Sequence, residues 1–389
     1  MFEKPFWSLG FRPFYLGGAV FGAILIPLWL LHLTGNISIN GPFSGSNWHA
    51  HEVIFGFATA ILTGFLFTAV KNWTGHPTPT NAALAALFLI WLLARILLII
   101  GPPAAASLVD LAYLPLMALR IAIPIYKSRN RRNYLIVAII GALFLINLYF
   151  HAKAWGIINF GPEPTLITGL NLFALLITIV AGRVMPMFIN NSIPGANAGK
   201  IKWVETSVIA GMIILFLVET LHSTIPDLFD NGAISNAYMA FLIGLTLLHL
   251  VRLVKWNPHK TLANPMLWIL PLSYFWLIAS VAFRAINLYN TEIDAIISTH
   301  LLGIGAMGGM MLAMMTRSAL GHTGRQIKAG VIETACFVLI QIAVIARISG
   351  IFISTEFYMT ILQISAAGWA AAFGLFVLRY WPIVTGPRI

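Results

Sequence analysis

The sequence predicts an all-α integral membrane protein of about twelve transmembrane helices in one bundle. Three observations carry this. Of 389 residues, 59% are hydrophobic and only 9% charged, whereas soluble domains carry roughly 25% charged residues. Apolar runs long enough to cross a bilayer recur twelve times along the chain. Lysine and arginine gather in alternate loops between those runs, as they do on the cytoplasmic side of membrane proteins.

The runs cover 14–34, 51–71, 82–100, 104–126, 133–151, 165–187, 203–222, 235–255, 265–286, 294–316, 329–349 and 357–380. The loops are too short for a soluble domain, so residues 1–389 read as a single polytopic transmembrane domain. With both termini cytoplasmic, the inner loops hold basic residues such as Lys127, Arg129, Arg131 and Arg132, and the outer side receives only Lys153, Arg284 and Arg347. This asymmetry independently supports an even number of spans. The first apolar run lacks a small-residue cleavage site and reads as a retained helix.

The formal net charge of +11 faces anionic headgroups from short loops, which argues against nucleic acid as a partner and for membrane lipid. The one cysteine, Cys336, lies in an apolar run. It excludes internal disulfides and cysteine-based zinc or haem-attachment motifs.

Two basic residues, Arg95 and Arg120, fall within spans. A charge at that depth costs a few kcal/mol or more unless paired. Snorkelling or an internal ion pair accounts for them, as would a buried anion such as a haem propionate. Asp110 shares a helix with Arg120, but ten residues, about 15 Å, separate the two.

Ten histidines are spread over a chain poor in acids, so imidazole is the available metal ligand. His32, His49, His51, His151, His222 and His300 fall near the outer face. In the stretch from Asn47, His49 and His51 precede Glu52 at the start of a span. Residues two apart on a helix point away from each other. Either His49 lies in a preceding extended turn or the two histidines serve different sites. Glu52 could orient a ligand imidazole, carry protons, or simply favour the positive helix end.

The tenth span offers His300, with Met307, Met311 and Met314 following at intervals of seven, four and three. Those spacings hold one face of a regular α-helix. Gly303, Gly305, Gly308 and Gly309 leave room for a flat group or a neighbouring helix. Histidine with thioethers suits haem iron or Cu(I), while adaptable core packing is the plainer account of the methionines. The second and tenth spans echo each other: each has a histidine near its outer end and a Gly/Thr/His turn at its inner end.

The inner turns around His76 and around His322 join histidine to glycine, and Arg317 and Arg325 flank the second. Arginines there can hold carboxylates bidentately or serve only as topology charges. Arg183 and Arg12 carry the same two readings. Pro186 interrupts the sixth span near its inner end. No Walker A loop, HExxH or GxSxG occurs, which leaves ordinary hydrolases and phosphate-driven pumps unsupported.

Several of these stretches together resemble the NnrS family, membrane proteins associated with bacterial responses to nitric oxide. The resemblance rests on LGFRPF (9–14), WHAHE (48–52), GF and NWTG (64–65 and 72–75), GRVMPMF (182–188), the span from His300, and TRSALGHTGR (316–325). One departure is Val184, where a second basic residue is expected. The resemblance implies haem and copper as cofactors and nitric oxide as the small-molecule partner. A looser similarity to haem–copper oxidases and nitric oxide reductases places His51 and His300 in their haem-binding spans, although the paired copper histidines of those enzymes are missing.

The expectation that follows is a multi-pass protein of the bacterial inner membrane that binds or transforms nitric oxide. Haem would be ligated by His51 and His300, and Arg183, Arg317 and Arg325 would hold its propionates. Copper would sit at His49 or at the His322 turn, and Glu52 would carry protons in any reductive chemistry, fed by a respiratory electron donor. The rivals are a small-solute transporter, consistent with twelve spans and broken helices, and a haem or copper delivery factor.

Overall fold

In the computed structural model, which describes residues 4–43, 45–158, 166–290, 294–353 and 355–389, all regular elements among those residues are helical. Twelve helices are long and apolar enough to cross a membrane. They are α1 Phe11–Leu33, α2 Gly45–Thr74, α3 Asn81–Ile100, α4 Pro103–Lys127, α5 Arg131–Ala154, α6 Ile167–Ser192, α7 Lys202–Thr224, α8 Gly232–Lys255, α9 Pro265–Tyr289, α10 Ile296–His322, α11 Val331–Gly350 and α12 Glu356–Thr385. Local signals end several of them. Gly75 adopts φ +70° and its N–H reaches the Lys71 carbonyl at 2.9 Å, closing α2. Asn231 and Asn264 accept backbone N–H groups at the starts of α8 and α9.

The chain packs as two compact units. Unit 1 comprises Met1–Leu166, Met315–Ile327 and Ala370–Ile389, and unit 2 comprises Ile167–Met314 and Lys328–Trp369. Burial separates the helices. In α2, α6 and α10 the most apolar stretch is 89%, 72% and 67% buried, whereas most other spans stay at 44% or less. These three helices carry the WHAHE, GRVMPMF and His300 motifs. On the less shielded spans, charged residues such as Arg95, Asp110 and Arg252 are themselves buried, where protein partners can satisfy them.

Two departures from a regular helix matter for the site. The second helix begins at Gly45, six residues before the predicted start, so His49 and His51 are both helical. A π-helical segment, Glu52–Ala58, follows His51 directly, and a second, Leu301–Gly308, follows His300. The first is held open by side chains that enter its hydrogen-bond ladder: Trp91 Nε1 donates to the Gly56 carbonyl at 2.8 Å and Thr59 Oγ1 to the Phe55 carbonyl at 2.5 Å. The second overturns the predicted methionine face. Seven residues make two turns only in an α-helix, and the wider turn rotates Met307 away from the register of His300. Met307 is buried, and Met311 and Met314 are only half-buried.

Arg12 closes unit 1. Its Nη1 donates to the Val384 carbonyl at 2.8 Å and the Gly386 carbonyl at 2.6 Å. The buried guanidinium thus caps the last turn of α12, a favourable place for a cation. Ile389 N also donates to the Thr323 carbonyl at 3.0 Å. Arg12→Gln should free this segment and cost about 1.5–3 kcal/mol, the worth of a charged hydrogen bond. Limited carboxypeptidase digestion of purified protein would show it, and an undigested variant tail would contradict it.

Candidate functional site

Unit 1 buries a charged cluster at one end of its helices. Successive antiparallel spans bring the first halves of α2 and α4 beside the second halves of α3 and α5. His51 and Glu52 come from α2, Arg95 from α3, Asp110 from α4, and Asn147 and His151 from α5. All six are buried. Arg95 links the two acids: Nη1 donates to Glu52 Oε1 at 2.6 Å and Nη2 pairs with Asp110 Oδ1. This settles the intramembrane arginine as an internal ion pair. Arg120, by contrast, is exposed, as a snorkelling residue would be.

The two imidazoles converge on one oxygen. His151 Nε2 lies 3.0 Å from Asp110 Oδ2 and His51 Nε2 lies 3.3 Å from it. Asn147 bridges them, donating Nδ2 to Asp110 Oδ2 at 2.8 Å and facing His51 Nε2 with Oδ1 at 2.8 Å. Each Nδ1 is held from behind: His51 by Glu52 Oε1 at 2.8 Å, His151 by Ser107 Oγ at 2.9 Å. Both nitrogens of His51 therefore face acceptors, an arrangement that suits the doubly protonated ring. With His51 protonated, two cations balance two carboxylates. Glu52 Oε2 is buried and has no hydrogen-bond partner among the described residues, leaving an open acceptor on the cluster.

The nitrogen and oxygen atoms offered by His51, Asp110 and His151 lie within 4.8 Å of one another. A set of two imidazoles and a carboxylate fits Cu(II), Zn(II) or Fe(II). Fixing each Nδ1 while Nε2 points inward is the usual support for a ligating histidine. The donor chemistry thus fits copper. His49 takes no part, because its ring turns away from His51 along the helix and stacks on Trp29 at 4.4 Å.

In unit 2, His300 is half-buried and its Nδ1 lies 2.8 Å from the Ile296 carbonyl. The glycines that follow are filled by neighbouring side chains. A Cβ on Gly305 would come within 2.5 Å of Trp276, one on Gly308 within 2.6 Å of Trp369, and one on Gly309 would meet Ser273. Close approach of other helices, and not a flat group, explains these three positions.

GRVMPMF also gains a specific role. Gly182 faces the Arg252 guanidinium, with no space for a Cβ. Arg252 is locked by two bonds to Glu205, at 2.9 and 2.6 Å, by the Thr178 carbonyl at 2.9 Å, and by Tyr274 OH at 2.8 Å. That hydroxyl lies 2.6 Å from His249 Nδ1, whereas the buried His249 Nε2 has no hydrogen-bond partner among the described residues. An imidazole held at Nδ1 with an orphaned Nε2 fits a haem iron, which brings four donors of its own and needs few from the protein.

The remaining predicted residues stand apart from these clusters. Arg183 and Arg317 are half-buried. His322 packs on Phe11 at 5.8 Å, and Arg325 reaches its own turn at the Thr323 carbonyl, 3.5 Å away. Sequence reasoning missed Asp110, His151 and Asn147 as companions of His51, and gave His249, near the end of the eighth span, no role. Depth held the signal. Arg95 and Asp110 lie at similar distances from the short turn joining α3 and α4, and Glu205 and Arg252 both lie near the end where α7 begins and α8 finishes.

Twelve apolar helices around buried histidine–carboxylate and arginine–carboxylate clusters define a polytopic α-helical membrane protein with a titratable, metal-capable interior. The chain belongs to the NnrS family, whose model, described as NnrS protein, matches residues 5–388. Comparison with curated proteins gives no match. Membership supports a role in the nitric oxide response at the level of the family, which is associated with haem and copper.

Proposed function

We propose that this protein binds copper and haem in the bacterial inner membrane and captures or transforms nitric oxide there. The observation that carries the reading is the convergence of His51 and His151 on Asp110, with both Nδ1 atoms held from behind. Copper would be ligated by His51, Asp110 and His151, in place of the His49 and His322 alternatives. Arg95 and Glu52 would orient the ligands, and the open Glu52 Oε2 would accept a proton delivered to the cluster. In unit 2 the orphaned His249 is the candidate haem ligand, with Arg183, toward the same end of the helices, as the candidate propionate contact; His300 lies toward the other end of the helices and would serve a separate site. Haem and copper, when bound, supply metal centres at which nitric oxide coordinates. Nitric oxide is small and neutral, so it reaches a buried site through lipid without a polar channel.

A metal at His51 must displace a proton, so copper loading is expected to release protons and to weaken as pH falls. Elemental analysis and Cu(II) electron paramagnetic resonance on detergent-purified protein would test this. His151→Ala and Asp110→Asn should each remove the bound copper, with loading of the native chain falling toward acid pH. Copper content unchanged in both variants would refute the ligand assignment.

A further inference from the structure

A second polar site lies in unit 2, where α7 and α9 finish and α8 and α10 begin. A cavity of about 260 Å³ opens there, lined among the described residues by Glu219, His222, Phe229, Tyr238, Arg284 and Ser298, with others. Arg284 was one of only three basic residues that the sequence placed on the outer side, and it is 7% exposed. Its surroundings leave it short of acceptors. Among the described residues Nε and Nη1 have no hydrogen-bond partner, and the nearest carboxylate oxygen, Glu219 Oε1, stands off at 3.5 Å from Nη1. That oxygen is already engaged by the Tyr238 hydroxyl at 2.6 Å. His222, whose ring lies 4.4 Å from that of Phe229 and is tilted 35° to it, adds another nitrogen, Nδ1, without a hydrogen-bond partner among the described residues. Phe229 in turn stacks on Tyr238 at 4.7 Å, with their planes 7° apart.

A buried guanidinium demands acceptors for its N–H groups. Tyr238 draws Glu219 aside, so Arg284 has a counter-charge nearby but not the oxygens that its planar fork fits. We propose that this cavity binds a small planar oxyanion, anchored by Arg284 with aromatic walls from Phe229 and Tyr238. Two oxygens about one carbon or nitrogen match the fork, and the volume admits ions of formate, acetate, nitrite or nitrate size. Glu219 competes with the guest for Arg284. Neutralising Glu219 must therefore strengthen binding, the opposite of what a purely structural ion pair would show.

Isothermal titration of the full chain in detergent, with sodium nitrite, nitrate, formate, acetate and chloride as separate probes, tests the site. Saturable binding is expected for planar oxyanions and not for chloride, and the ranking among the four tells nitrogen from carbon oxyanions. Arg284→Lys should weaken binding about tenfold or more by losing the fork, and Glu219→Gln should tighten it several-fold. Tyr238→Phe frees the Glu219 oxygen to pair with Arg284 and should weaken binding. Absence of saturable binding, equal binding of chloride, or weakening by Glu219→Gln would overturn the proposal. Should Arg284→Lys fail to fold, the opposite signs expected of Glu219→Gln and Tyr238→Phe decide it.

Discussion

Asp110→Asn is expected to destabilise unit 1 by about 3–5 kcal/mol, the cost of removing one partner from a buried ion pair. The substitution preserves shape and removes charge. Arg95 would then face only Glu52, and the two imidazoles would lose the oxygen on which both converge. Desolvating a guanidinium is tolerable only while its counter-charges remain. Thermal unfolding followed by circular dichroism should show the loss. Adding Arg95→Met to Asp110→Asn should recover part of it, because the double variant no longer buries that uncompensated cation. An Asp110→Asn protein as stable as the native chain would mean that the cluster contributes nothing to the fold.

Gly182→Ala should cost a similar amount, about 3–5 kcal/mol, although alanine is the better helix former by roughly 1 kcal/mol. The added methyl would overlap Arg252 Nη2 and come within 2.5 Å of Glu205 Oε2. Arg252 cannot retreat without giving up its bonds to Glu205, the Thr178 carbonyl and Tyr274. Overpacking and a broken buried pair therefore add in the same direction. The chain supplies its own reporter: Cys336 is the single cysteine and is 2% exposed within unit 2. A thiol-reactive dye should label it at a clearly lower temperature in the variant. Labelling at the native temperature would show that Gly182 is dispensable.

The two predictions mark where sequence reasoning stops. The GRVMPMF stretch was recognised as a helix broken by Pro186 with Arg183 as its charged residue. The position under the tightest steric demand proved to be Gly182, and the arginine it accommodates lies seventy positions later in α8. Similarly, His51 stood out from its motif, but the only cation the sequence set beside Asp110 was Arg120, about 15 Å away along its own helix. Arg95 of the preceding helix takes that place. The glycines after His300 were legible as a close-approach surface, while the identity of what approaches, Trp276 and Trp369, was not.

Hydropathy is summed over neighbouring residues, and a bilayer imposes one length on every crossing. For that reason the number of spans, their approximate limits and the family are contained in the sequence alone. Which imidazole faces which carboxylate depends instead on how each helix is rotated about its axis. That rotation is set by packing between helices and, after His51 and His300, by π turns that shift the register. The convergence of His51 and His151 on Asp110, the orphaned nitrogen of His249 and the unsaturated Arg284 are consequences of those rotations, and only the tertiary structure decides them.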